Sequence, residues 1–117
     1  MAELIICLSR DKGTWNYVTK LIRDHEWDKI IILTDKAGRT FTPPKAVEFV
    51  VIDPNEALTQ LSENVKEGLK EKISGIEVAV NFVSGSGKEH MALMSALLKL
   101  GLGIRFIALK PNSVEEI

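Results

Sequence analysis

The sequence predicts a three-layer α/β domain on a mostly parallel, Rossmann-like sheet. Short apolar runs alternate with stretches of helical period, in the order β-α-β-β-α-β-α-β. Several runs are apolar at consecutive positions, the mark of strands covered on both faces, and right-handed crossovers then place helices on both sides. The 117 residues have room for one domain, residues 1–117, with no repeat, linker or low-complexity tract. Five strands are expected, in the doubly wound order 3-2-1-4-5.

Leu4 to Leu8 is the first continuous apolar run. Trp15, Val18, Leu21 and Ile22 recur at helical spacing between Thr14 and Glu26, with Thr14 placed to cap. Lys29 to Leu33 is a second buried strand, ending in Thr34-Asp35, and a loop holding Gly38 and Pro43-Pro44 leads to a third at Val47 to Ile52. Asp53-Pro54-Asn55-Glu56 has the composition of a helix start: a capping Asp, Pro at the first helical position and Glu closing a capping box. That helix is expected to reach Ile73, with Leu58, Leu61, Val65, Leu69 and Ile73 as its buried stripe and Ser74-Gly75 as its stop. Ile76 to Val83 is the fourth strand, Glu89 to Leu100 the third helix and Ile104 to Leu109 the last strand. Lys110 to Ile117 is expected to be a frayed polar tail.

Composition removes several classes of function. For 13.0 kDa, surface scaling gives about 6,300 Å² folded against about 19,000 Å² unfolded, enough burial for a core without staples. One cysteine, Cys7, rules out a disulfide framework and a Cys-rich zinc site, and neither His25 nor His90 has a partner at metal-ligand spacing. Fifteen Lys+Arg against sixteen Asp+Glu, net −1, disfavour a basic nucleic-acid surface and leave a local basic pocket open. No apolar run is long enough to span a bilayer and no signal peptide is visible, so a soluble, cytoplasmic domain needing no metal or cofactor is expected.

Ligands of open α/β sheets bind beyond the carboxyl ends of the strands, near the topological switch point. That rule selects three loops: Ser9 to Thr14, the stretch from Thr34-Asp35 through Lys36 and Arg39, and Ser84-Gly85-Ser86-Gly87-Lys88-Glu89-His90. Together they place Arg10, Lys12, Lys36, Arg39 and Lys88 on one edge, which suits an anion. The third loop is the most informative. Its glycines permit close backbone approach, the following helix offers free N–H groups and a positive dipole end, and Ser84, Ser86 and Lys88 add donors. It is neither a Walker A loop, which would need glycine at Phe82 and Ser/Thr at Glu89, nor a dinucleotide G-x-G-x-x-G, whose third glycine falls at His90. Ser86 and Glu89 also form a capping box with no ligand required, and the glycines serve any tight turn.

The remaining candidates have structural readings beside functional ones. Cys7 lies within a strand and is most simply core. His25, late in the first helix, suits a solvated or dipole-facing role. His90 adjoins the third loop, as general acid/base or as a surface histidine. Trp15, beside the first loop, is placed for base stacking or for core packing. From Met91 to Leu102 nearly every residue is apolar or small, so a second subunit is expected to cover the excess in a two-fold homodimer.

Val80-Asn81-Phe82-Val83-Ser84-Gly85-Ser86-Gly87-Lys88-Glu89-His90-Met91-Ala92-Leu93 resembles the strand–turn–helix signature of CARF domains, the CRISPR-associated Rossmann folds. In that family an apolar strand with Asn is followed by Thr/Ser-Gly-Gly-Thr-Lys and an apolar helix. Asn81, Ser84, Gly85 and Lys88 match, while Ser86 and Gly87 depart from the Gly-Thr order. The element order is similar across essentially the whole chain. The resemblance implies a homodimer that binds a cyclic oligoadenylate second messenger across its two-fold axis, within CRISPR signalling and antiviral defence. Ser84, Gly85 and Lys88 would fall in the phosphate-contacting turn, and Arg10 and Thr14 in the first ligand loop.

CARF proteins commonly carry an effector domain, for which this chain has no room, and the Arg-x₄₋₆-His ribonuclease motif does not occur. The resemblance leaves sequestration of the ring, or its cleavage by a metal-independent ring nuclease working through positioning and electrostatics, with Lys88 and Arg10 as catalytic candidates and His90 for proton transfer. Two other readings stand beside it: a Rossmann-like module for a mononucleotide or a protein partner, and an interaction subunit whose apolar helix docks a different protein.

Overall fold

The computed structural model describes residues 2–117. Six strands form one sheet in the order β3-β2-β1-β4-β5-β6: β1 Glu3–Cys7, β2 Lys29–Thr34, β3 Glu48–Val51, β4 Glu77–Asn81, β5 Gly103–Lys110 and β6 Ser113–Glu116. The first five are parallel, and β6 returns antiparallel to β5. Three helices, α1 Trp15–Arg23, α2 Leu58–Lys70 and α3 Gly87–Lys99, complete a three-layer Rossmann-like fold.

Alternation along the central strand assigns the layers. Leu4 and Ile6 of β1 face α1 with Val18, Leu21, Ile22, Ile30 and Ile32. Ile5 and Cys7 face α2 and α3 with Ile31, Leu33, Leu61, Val65, Leu69, Leu93 and Leu97. Both faces of β1 are buried, which is why its sequence is apolar without interruption. Each fully buried Leu or Ile side chain contributes about 1.5–3 kcal/mol relative to exposure, so the sheet centre is the main source of stability.

Both tryptophans serve the core. Trp15 meets the Phe41 ring edge-on at 5.4 Å and donates its indole N–H to Ser9 O at 2.8 Å. Trp27 packs on the α1 layer and donates to Leu21 O at 3.1 Å. Thr14 precedes α1 as expected but makes no side-chain capping bond; Asp11 caps the short 3-10 turn Lys12–Thr14 by accepting from Gly13 N.

Two expected boundaries are corrected. The helix expected from Asp53 begins at Leu58 and ends at Lys70. Asp and Pro equally suit the first two positions of a β-turn, and the turn prevails: Glu56 N donates to Asp53 O at 3.2 Å and Asn55 N to Asp53 Oδ1 at 2.9 Å. Glu56 then accepts the Asn64 amide instead of closing a box. The tail expected to fray pairs as β6, with Leu109 opposite Val114 across the Pro111-Asn112 turn, so the sheet has six strands where five are expected. With one valine, one serine and two glutamates it has the polarity of an edge strand, and the charges discourage further strand addition.

The apolar character of α3 is largely used within the chain. Ala92, Leu93, Ala96 and Leu97 are buried against the sheet and α2, with Ser62 Oγ donating to Ser95 Oγ at 3.0 Å across the helix pair. Met91 and Leu98 remain exposed, at 63% and 65%. Among the described residues no helix is long and apolar enough to cross a membrane.

Candidate functional site

β1 and β4 are adjacent at the centre of the sheet, and their crossovers run in opposite directions, to β2 and to β5. This is the switch point, where two connections diverge and leave a crevice. Two connected cavities of about 420 and 390 Å³ open there, sharing Arg10, Asp35, Pro54 and Asn55. Each is within the size range of small-molecule sites. The inner cavity is walled by Ser9, Gly85, Ser86 and Glu89. The outer one extends over Lys36 and Ala37 toward Ile52 and Asp53.

The loops after β1 and β4 are joined through Ser84, which is fully buried. Its hydroxyl oxygen accepts from Ser9 N at 2.8 Å and lies 2.6 Å from Thr14 Oγ1. The Ser84 carbonyl meets His90 Nε2 at 2.8 Å; a carbonyl can only accept, so this imidazole carries a proton on Nε2. The same ring stacks on Phe82 at 4.7 Å. Gly85 turns the chain at φ +99°, where a Cβ would also lie 2.9 Å from Cys7 Cβ and 3.0 Å from His90 Nε2. Glycine is required there on both counts.

The start of α3 carries the expected capping box. Glu89 Oε2 accepts from Ser86 N at 2.7 Å, the stronger half, and Ser86 Oγ accepts from Glu89 N at 3.5 Å. Gly87 differs from Gly85. A Cβ on it would meet nothing within 4 Å and its φ is not positive, so neither packing nor backbone geometry requires glycine at this first helical position.

Arg10 and Asp35 form the floor shared by the two cavities. Arg10 Nε and Nη2 both donate to Asp35 Oδ2, at 3.0 and 2.8 Å. The Arg10 side chain is 68% exposed and the Asp35 side chain 9%. Burial opposes the charge on Asp35, but the Gly38 N–H, Arg10 and the Ala37 N–H together outweigh it and hold the carboxyl below its usual range. Gly38 permits this turn, because a Cβ there would fall 1.7 Å from Thr34 Oγ1, which itself donates to Leu8 O. With two of five N–H donors used, Arg10 keeps three for a ligand in a preset orientation.

The fold keeps part of the expected cation cluster together. Arg10 and Lys36 line the cleft and Lys88 Nζ reaches its wall, donating to Pro54 O at 2.8 Å, while Lys12 lies over the Trp15 ring and Arg39 over Phe49. Of the residues singled out by sequence, Ser9, Arg10, Lys36, Gly85 and Ser86 line the cleft. Thr14, Thr34, Ser84 and His90 are committed to hydrogen bonds that hold the loops, and Gly87 opens on solvent. Asn81, central to the strand–turn signature, is a buried link to β5 through Ile107 O. Asp35, Pro54, Asn55 and Glu89 line the cleft without having been singled out as ligand residues. The cleft therefore mixes two cations with the carboxylates of Asp35, Asp53 and Glu89. Burial and the nearby Glu89 charge push the Cys7 thiol far up, leaving it an unreactive core group. No cluster suited to a metal ion occurs among the described residues.

No protein-family model matches the chain and no curated protein matches it, so the chemistry of this cleft rests on its geometry.

Proposed function

We propose that the chain binds a phosphate-bearing nucleotide at the carboxyl edge of its sheet, with a cyclic oligoadenylate held between two copies as the leading case. The observation that carries this reading is the Arg10 guanidinium, fixed by Asp35 at the junction of two open cavities with three donors unspent. The CARF-like turn supports the ligand class. The cleft is open on one side, and the exposed Met91 and Leu98 of α3 provide apolar surface for a second copy. A homodimer is part of the proposal.

Binding is favoured over cleavage. Lys88, the first catalytic candidate, is anchored by one of its three donors to Pro54 O at the cleft wall and does not itself line the cavities, and His90 has its ring proton on Ser84 O. Arg10 alone of the three lines the cleft.

The test is calorimetric titration of cyclic tetra- and hexa-adenylate into the intact chain beside Arg10→Ala and Gly87→Asp. Gly87→Asp meets no steric obstacle, and a carboxylate in the first helical turn favours the helix by about 0.3–1 kcal/mol. It is expected to keep stability and to leave ring binding within twofold, since Gly87 lies outside the cleft lining, whereas Arg10→Ala is expected to weaken ring binding at least tenfold. One ring per two chains supports the two-fold site; one ligand per chain supports the mononucleotide reading. No heat from a folded dimer with either ring overturns the cyclic oligoadenylate reading. Chromatography of the bound samples reads whether the ring survives.

A further inference from the structure

We infer that Glu89 is a specificity-determining residue that admits phosphodiesters to the inner cavity and turns away phosphomonoesters. This rests on the proposed nucleotide site and specifies which kind of phosphate it accepts. Three elements supply the charges of the inner cavity: Arg10 from the loop after β1, Asp35 from the end of β2 and Glu89 from the first turn of α3. Arg10 and Asp35 offset one another through their two hydrogen bonds. Glu89 has no Lys or Arg partner among the described residues; its Oε2 accepts from Ser86 N at 2.7 Å. That capping bond holds the side chain at the wall, and it puts a carboxylate of the chain's own where the helix dipole would attract one from outside. Its field reaches inward, since after burial itself Glu89 is what raises the Cys7 thiol. The cavity thus sets one guanidinium against two carboxylates, and one incoming charge is all that Arg10 can offset.

A phosphodiester carries a single charge. A phosphomonoester carries close to two at pH 7, because its second pKa is about 6. A cavity of about 390 Å³ is narrower than the Debye length, about 10 Å at 0.1 M salt, so the second charge meets Glu89 largely unscreened. The other charged neighbours do not relieve it. Lys36 and Asp53 line the outer cavity together, Lys88 is held at the wall on Pro54 O, and His90 is turned onto Ser84 O and Phe82. Every linkage of a cyclic oligonucleotide is a diester, whereas a free mononucleotide presents a monoester.

The test titrates the intact chain with adenosine 5′-monophosphate and with its methyl phosphodiester, which differ by one methyl group and one charge, in the wild type and Glu89→Gln. Glutamine also serves the third position of a capping box, so the variant keeps the bond from Ser86 N, and a urea midpoint reads that it folds. At about pH 8 the wild type is expected to bind the diester at least fivefold tighter than the monoester. Glu89→Gln is expected to bring the two affinities within twofold. Lowering the wild type to about pH 5, where the monoester has regained its second proton, is expected to do the same without any substitution. That comparison decides the matter even if the variant does not fold. Equal affinities at about pH 8, a monoester that binds tighter, or a preference that survives either change overturns the role of Glu89 alone. Silence with both probes and with both cyclic rings overturns the nucleotide site as well.

Discussion

The two edges of the sheet use buried carboxylates in opposite ways. At the amino edge, Glu3 accepts from Ser74 N at 2.9 and 3.1 Å and from Gly75 N at 2.8 Å, closing the turn between α2 and β4. Its neighbour Lys29 spends its ammonium on Lys72 O and Glu48. At the carboxyl edge, Asp35 is equally buried, but its partner Arg10 is exposed and faces the larger cavity. One carboxylate seals the chain; the other aims a cation. The distinction between structural and ligand-facing polar groups lies in the donors left over, not in residue type or burial.

Three substitutions sharpen this contrast. The largest loss of stability is expected from Glu3→Ala, about 2–4 kcal/mol, because two turn N–H groups lose a charged acceptor. Urea denaturation reads it as a lower midpoint, and ligand affinity should stay within twofold. A large affinity change would break the division between the edges. Ser84→Ala is expected to cost about 1–2 kcal/mol, since it strands Ser9 N and the Thr14 hydroxyl. Unlike Glu3→Ala it should also weaken ligand binding, because the loop carrying Arg10 loses its anchor to the β4 turn.

The smallest effect concerns pH. The folded-state pKa of Asp35 lies below its unfolded value, so its contribution is fully present above the unfolded pKa of about 3.9. It is lost as pH falls through the lower folded value. Asp35→Asn should therefore flatten the acid limb of a urea-midpoint profile and leave the slope above about pH 5 unchanged. An unaltered acid limb would mean that Arg10 and the turn N–H groups hold Asp35 no differently from an exposed carboxylate.

The fold was legible because its strongest signal is local: continuous apolar runs such as Leu4 to Leu8, too short for a buried helix, have the length of strands covered twice. The α2 boundary was less so, since Asp53-Pro54-Asn55-Glu56 satisfies a helix start and a β-turn with the same residues. β6 was hidden because an edge strand is polar by necessity. In the site, the Ser86–Glu89 box was readable from its three-residue spacing. The pairing of Arg10 with Asp35, 25 positions apart, was not. Charge counts at loop positions did not separate these cations, because long side chains reach away from their backbones: Lys12 goes to Trp15 and Arg39 to Phe49, while Lys88 reaches the cleft wall at Pro54 O.

The Ser9 amide hydrogen is held by a hydroxyl that solvent does not reach. It can exchange with deuterium only when the first loop separates from the turn after β4. Its exchange rate is thus a clock for opening of the whole rim. A ligand that spans both loops must slow that clock in proportion to its occupancy, whatever its chemical identity.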